Sequence, residues 1–384
     1  MIANSSANLR QVERQLQESR NLGVTLKRMI DEGELTKDIF LTILSNNHNV
    51  VRRQTIRNLI SEHFITEADL EDTCGIDREF LDLLHENDPV DPTMGSEYQA
   101  IGSIAKGSTE VYFWGMKSSG KSCALGAVLS MANNGGDRMM QQPCQGGDYM
   151  SRLSQIFKRD GEYTFLPAGT MINRSYEMRF SLIRDKKEHP LSLIDMSGEV
   201  FQSIYKKYTN SVMTTDETAA LETLDTLLKE HASENRKIHF FVVEYGAENK
   251  KENGIEPNQY LRRAAEYLNH EGVFSEYTDA IYIVLTKADR AGVFKSREDE
   301  ANHFKNYMSK NYRDFYFELK YLCEQHSING GMLEFIPFSI GEVCFGDFCC
   351  FNSASAREIL DYIVERSFYV ERDFFGRIVR RLRT

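Results

Sequence analysis

Prolines number only seven in 384 residues, and the 25 glycines follow no fixed period. Collagen-like and proline-rich low-complexity architectures are thereby excluded. No apolar run reaches the roughly 18 residues that a membrane-spanning helix needs. The opening MIANSSANLRQVERQLQESR is polar and reads as helix, without the apolar stretch of about 7 to 15 residues that a secretory signal carries, so the expectation is a cytoplasmic chain. Basic residues are also in deficit: 46 Lys and Arg stand against 57 Asp and Glu, a formal charge of −11. The field of the whole chain opposes unassisted binding to nucleic acid, and no nucleic-acid partner is expected. The seven cysteines form an odd set without any Cys-x-x-Cys pair, which fits reduced packing residues rather than disulfides or zinc ligands. What the chain does have is 41% hydrophobic residues and length for about two to three domains, enough to fill real cores.

Residues 1–88 read as a helical domain, with no alternating strand pattern and no glycine between Gly33 and Gly75. Within it MIDEGELTKD, Met29 to Asp38, resembles LISEHFITEA, Leu59 to Ala68, in step by 30 positions. Each copy places apolar residues before a turn and then a threonine, Thr36 or Thr66, whose hydroxyl can hold an unpaired amide of the next helix. Two readings stay open for this module, a docking or dimerising adaptor and a small bundle packed on the main domain. Residues 89–108, with proline, glycine, serine and acidic residues, read as a linker. From 109 to 384 the texture changes to apolar runs such as EVYFWG, KIHFFVV and AIYIVLT separated by helical stretches, the pattern of an α/β domain with a largely parallel sheet. YEMRFSLIRD and HPLSLID are separated only by Lys186, Lys187 and Glu188. They predict an antiparallel hairpin and hence a mixed sheet.

Gly115 to Ser122, GMKSSGKS, matches G-x-x-x-x-G-K-[ST] at every fixed position, between a buried strand and a helix as its mechanism requires. Gly115 and Gly120 allow the backbone to approach phosphate where a Cβ would block it. The backbone of Lys117, Ser118, Ser119 and Cys123 and the helix N-terminus converge on one anion. Lys121 reaches the β- and γ-phosphates and the Ser122 hydroxyl binds Mg²⁺. The expected fold is an α/β P-loop three-layer sandwich with a mixed, mostly parallel sheet, preceded by a small all-helical domain. A phosphate loop of this kind needs a second acid at the end of a neighbouring strand to hold magnesium, and LSLIDMSGE supplies Asp195.

Asp195-Met196-Ser197-Gly198 is also a D-x-x-G, and Thr286-Lys287-Ala288-Asp289 after AIYIVLT matches [NT]-K-x-D. In this order the motifs resemble the Ras-like and translation-factor (TRAFAC) class of GTPases over about residues 105 to 367. The chemistry of the last motif suits guanine: one aspartate accepts two hydrogen bonds from the imino and exocyclic amino groups, a pattern adenine does not offer. The resemblance implies that Asp195 holds magnesium through water, that the Gly198 amide meets the γ-phosphate, and that a switch threonine completes the metal shell. Thr170 is the candidate and Thr164 the fallback. It also implies a base-contacting loop after the final strand, where Ser339 and Ile340 stand; the isoleucine departs from the usual alanine. Glu199 stands where Ras-type enzymes carry the glutamine that orients the attacking water. Its catalytic reading competes with that of an outward-facing residue at a helix start.

LPAGT, LIDMSGE, the long insertions and the helical front domain resemble large bacterial GTPases of double-GTPase systems, which implies partner-regulated switching, with a protein partner or a second GTPase. The basic, apolar C-terminus VERDFFGRIVRRLRT reads either as a peripheral contact for membrane or acidic partner, or as a helix end whose arginines complement the dipole. The leading expectation is a Mg²⁺-dependent GTP hydrolase acting as a switch through GTP and GDP states. Its alternatives are a GTP-binding scaffold that hydrolyses slowly or not at all, and an ATP-dependent P-loop enzyme.

Overall fold

The structure is a computed structural model that describes residues 11–16, 22–87, 91–94, 99–167, 174–230, 233–368 and 370–371. The chain divides into two compact units: residues 1–90 with 159–166 and 341–352, and residues 91–158 with 167–340 and 353–384.

In the first unit, α1 (Leu22–Asp31), α2 (Lys37–Asn46), α3 (Arg53–Ser61), α4 (Glu67–Asp72) and α5 (Arg78–Leu83) follow one another. The 30-residue period is structural. Gly33 and His63 occupy the same left-handed turn at φ 72° and 57°. The Leu35 amide donates to the Met29 carbonyl as the Ile65 amide does to Leu59. Thr36 and Thr66 both cap the helix that follows, Thr66 in a reciprocal capping box with Asp69, so the repeat is one of turn chemistry as well as apolar spacing. Their core is Met29, Phe40, Ile56, Leu70 and Phe80, joined by Cys344, Phe345 and Phe348.

Those last residues belong to a finding the sequence did not announce. Tyr163–Phe165, Phe348–Phe351 and Gly341–Cys344 form a three-stranded antiparallel sheet in that order. Two excursions from the stretch read as one α/β domain therefore build part of the helical unit, and EVCFGDFCCFN supplies two of the strands. Arg53 fixes the turn between them: its amide donates to Asp347 at 3.0 Å, and its guanidinium lies 4.9 Å from the Phe165 ring centroid.

The second unit carries the main sheet, order β2-β4-β5-β1-β6-β7-β8. Here β1 is Thr109–Gly115, β2 Arg138–Gln141, β4 Tyr176–Arg184, β5 Lys187–Asp195, β6 Lys237–Glu244, β7 Thr278–Thr286 and β8 Glu334–Phe338, with β3, β9 and β10 the three strands of the small sheet. β5, β1, β6, β7 and β8 run parallel, while at one edge β4 pairs antiparallel with β5 and β2 antiparallel with β4. The expected fold class is what the structure has. β1 is buried at every position, as a central strand covered on both faces must be. The β4–β5 turn falls one residue earlier than expected. Asp185 and Lys186 take positive φ, 50° and 66°, in the tight two-residue loop whose twist matches the flanking strands.

Register fixes where the loops emerge. Phe113 pairs with Asp195, Gly115 with Val242, Glu244 with Thr286, and Thr286 with Phe338. The carboxyl ends of five strands thus meet at one edge, the place where parallel α/β sheets bind ligands.

Deep under β1 and β6, Trp114 donates to His239 Nδ1 at 3.0 Å, and the ring stacks on Tyr112. Nδ1 accepts, so the neutral imidazole carries its proton on Nε2. Burial pushes the His239 pKa down to about 3. The unfolded chain protonates near pH 6.5, so stability from the neutral ring is complete above that value and is lost as pH falls towards 3. Between pH 7 and 5 the unfolding free energy of the native chain should fall by about 2 kcal/mol more than that of His239→Phe, measured by denaturant titration of both at each pH.

Candidate functional site

Gly115 ends β1, and α6 (Lys121–Asn134) begins at Lys121. The loop between them leaves no room for a side chain at either of its fixed glycines. A Cβ on Gly115 would lie 2.9 Å from the Val242 carbonyl oxygen, and Gly120, at φ 86°, would bring one to 3.1 Å from the Thr286 methyl. Ser118 also takes positive φ, 61°, which turns the loop's amides inward as an anion-binding concavity requires. Lys117 and Ser118 are exposed, Ser119 is buried and Ser122 is half-buried. Cys123, also half-buried, sits in the first turn of α6.

Asp195 ends β5 with no exposure, and Lys121 is 5% exposed. Their side chains form a buried ion pair. The other carboxylate oxygen, Oδ2, accepts the Tyr149 hydroxyl at 2.9 Å. Tyr149 was not a sequence candidate: it lies on α7 (Gly147–Leu153), inside the insertion after the phosphate loop, and no motif marks it. Gly198 is forced by packing, because its Cβ would fall 2.5 Å from the Lys117 amide nitrogen. The D-x-x-G therefore lies directly on the phosphate loop.

Glu199 does not point outward. It is 7% exposed, its Oε2 accepts the Ser197 hydroxyl at 2.9 Å, and its Oε1 lies 3.2 Å from the Lys117 ammonium. It precedes α8 (Val200–Tyr208) and faces inward over the loop that Gly198 touches. Thr170 falls outside the described residues. Thr164 lies in β3 of the first unit, paired with Cys349, where its role is that of a sheet residue.

At the other flank the Thr286 hydroxyl donates to the Ser119 carbonyl at 2.6 Å, tying the T-K-x-D strand to the phosphate loop. Lys287, at φ 57°, donates to Glu244 Oε1 at 2.5 Å. The same carboxylate lies 3.6 Å from Arg290 and 3.9 Å from Lys250. Glu244 is the second residue that sequence reading missed; its only signal was an acid closing a buried strand, as Asp195 does. Asp289 is exposed in the turn Ala288–Ala291. Ser339 and Ile340 follow Phe338, the register partner of Thr286. The Ser339 amide donates to the Ser355 hydroxyl at 3.3 Å, and Ile340 is buried. A cavity of about 200 Å³ borders the loop, lined among others by Met116, Ser119, Glu244, Leu261 and Tyr312.

The donor set suits magnesium bound with nucleotide. One hydroxyl (Ser122) and one buried carboxylate (Asp195) are hard oxygen ligands that leave most of the shell to phosphate and water, and the Lys121 ammonium shows that Asp195 already holds a cation. Among the described residues no cluster of three or more His, Cys, Asp or Glu makes a protein-only metal site.

Comparison of the sequence with described protein families and with curated proteins finds no match. Among solved structures the chain is similar to the GDP-bound Roco2 RocCORdC of Methanosarcina barkeri (11% identity, TM-score 0.29), covering 73% of this chain and 57% of that one. It is also similar to nucleolar GTP-binding protein 1 of Plasmodium falciparum (11%, TM-score 0.30, 68% and 89%). A third is the GTP-bound Ski7 GTPase-like domain of S. cerevisiae (17%, TM-score 0.27, 60% and 43%). The chain thus spans less than two thirds of the Roco2 and Ski7 chains, and superpositions this loose add nothing to the geometry. By its sheet order and its phosphate loop the second unit has a P-loop α/β fold, and it carries at one sheet edge the ordered D-x-x-G and T-K-x-D that resemble those of the Ras-like and translation-factor GTPases.

Proposed function

We propose that the protein binds guanine nucleotide with Mg²⁺, hydrolyses GTP to GDP, and works in the cytoplasm as a switch read by a protein partner, a second GTPase being one form such a partner takes. The observation that carries this is the bond from Thr286 to Ser119, which joins the base-reading strand to the phosphate loop. In this reading Lys121 leaves Asp195 for the β- and γ-phosphates. The amides from Lys117 to Cys123 cradle the phosphates, while Ser122 and Asp195, with Thr170, hold the metal. Bound there, magnesium would supply positive charge to offset that of the phosphates. Asp289 accepts the guanine imino and amino protons, Lys287 lies along the ring, and the backbone at Ser339 and Ile340 closes over the base. The Gly198 amide meets the γ-phosphate, and Glu199 accepts a hydrogen bond or proton from the attacking water.

A GTP-binding scaffold that hydrolyses slowly or not at all is the second reading, favoured by a glutamate, Glu199, where Ras-type enzymes carry glutamine. Single-turnover hydrolysis separates the two. Glu199→Ala should slow the catalysed step by about 10²- to 10⁴-fold if Glu199 handles the proton, and a native rate near the uncatalysed one, unchanged by Glu199→Ala and by partner, assigns the protein to the scaffold class.

Displacement of a fluorescent GDP analogue by GTP, GDP and ATP tests nucleotide identity. GTP and GDP should compete and ATP should not. Lys121→Ala should abolish binding, and Asp289→Asn should erase the preference for guanine; equal displacement by ATP points instead to an ATP-using P-loop enzyme.

Glu244 gives a further expectation. Replacing it with Gln removes the charge that holds Lys287, a bond to a charged group contributing about 1.5–3 kcal/mol. GDP affinity in the same assay should fall about tenfold or more, while Glu244→Ala should fall at least as far.

A further inference from the structure

The insertion after the phosphate loop is packed against the main sheet and not splayed from it. The Gln142 amide donates to the Arg179 carbonyl at 2.9 Å and the Gly146 amide to the Glu177 carbonyl at 2.8 Å, while Gln145 Oε1 accepts the Glu177 amide at 3.0 Å. These bonds run along β4, the strand beside Asp195. Gly146 must be glycine there, because a Cβ would meet the Glu177 carbonyl oxygen at 2.6 Å. The next turn delivers Tyr149, 4% exposed, whose ring stacks on Tyr176 at 4.1 Å between centroids and 19° between planes. Tyr176 is the register partner of Asp195. The ring is thus held in place by stacking, and its hydroxyl donates to Asp195 Oδ2 at 2.9 Å.

We propose that Tyr149 is a positioning residue for the divalent cation: its hydroxyl fixes the rotation of the Asp195 carboxylate, so that the oxygen facing Lys121 in the ligand-free protein is presented to the metal that accompanies nucleotide. A carboxylate has two equivalent oxygens and a free torsion. Asp195 is out of solvent, and the groups that set it include the Lys121 ammonium on Oδ1 and the Tyr149 hydroxyl on Oδ2. When nucleotide draws Lys121 away, only Tyr149 of those two remains on the carboxylate. The donor also keeps a hydrogen bond on a buried carboxylate oxygen once the metal has taken its neighbour. The inference rests on the nucleotide reading above and adds to it a residue that belongs to no GTPase motif.

The test is the Mg²⁺ dependence of GDP retention in the full chain. Release of a fluorescent GDP analogue is followed across Mg²⁺ concentrations for native protein, Tyr149→Phe, Asp195→Asn and the double variant. Tyr149→Phe keeps the stacking ring and loses only the hydroxyl. The Mg²⁺ midpoint should rise about tenfold in this variant, with GDP affinity in EDTA within about twofold of native, the tenfold shift being a lost hydrogen bond to a charged group. In the Asp195→Asn background the same change should leave the midpoint where it was. An unmoved midpoint in Tyr149→Phe overturns the inference, as does equal weakening with and without Mg²⁺ or full additivity in the double variant. Native protein that binds no guanine nucleotide defeats the nucleotide reading itself, whereas native binding with a Mg²⁺ midpoint indifferent to Tyr149 defeats this inference alone.

Discussion

The buried pair of Lys121 and Asp195 is the constraint around which the α/β unit is arranged. Two opposite charges stand almost wholly out of water, and each would be strongly destabilising without the other, by about 3–5 kcal/mol when one partner of a buried pair is removed. An ammonium ready for an anion beside a carboxylate ready for a cation describes a site that takes both together. In the proposed function a nucleotide phosphate arriving with its metal would exchange the two charges in one event, and coupled binding of the two would follow from the electrostatics of this one pair.

The rest of the edge serves to hold that pair where the exchange can happen. Gly115, Gly120 and Gly198 remove the Cβ atoms that would keep three segments apart, and Thr286 closes the loop from the far side. Glu244 does for Lys287 what Asp195 does for Lys121, pairing a strand-end acid with a lysine of the adjacent motif. Both acids end buried parallel strands, where a carboxylate gains from fixed donors and loses little rotamer freedom on binding. The chain then leaves this edge for the other unit at Gly341, directly after Ser339 and Ile340, and enters the small sheet. Ser339 and Ile340 and a strand of the helical unit are consecutive in the chain.

What could be read in the sequence was what depends on residue type at a fixed offset along one strand and loop. The phosphate loop, Asp195 with Gly198, and Thr286 to Asp289 are of this kind, because backbone geometry at a strand end dictates each position. The alternation of strands and helices and the β4–β5 hairpin were legible for the same reason. Tyr149 and Glu244 were not, since each acts on a partner 46 and 43 positions away and only the fold brings them together. The aromatic and cysteine-rich EVCFGDFCCFN carried the composition of buried strands but nothing to say which unit they would join. The inward turn of Glu199 was decided by Ser197 and Lys117, against a helix-start preference that alone would have left it in solvent.

That turn bears on the main electrostatic objection to Glu199 as the group that receives the water's proton. A carboxylate facing the γ-phosphate is repelled, and at that distance the repulsion outweighs the benefit of a stronger base unless a cation accompanies it. Lys117 supplies one at 3.2 Å. The lysine side chain is 56% exposed while the glutamate side chain is 10% exposed, so the pair is screened on the lysine side and little on the other. A glutamine at this position would leave the Lys117 ammonium unpaired over the phosphates, where it would tighten ground-state binding without favouring the transition state. The combination of Lys117 and Glu199 instead keeps the local charge near zero before the reaction. In the proposed hydrolysis, proton uptake by the carboxylate would free Lys117 towards the phosphoryl oxygens on which charge develops. The departure from glutamine is then intelligible as one half of a pair, and Lys117, an unconstrained position of the phosphate-loop pattern, is its other half.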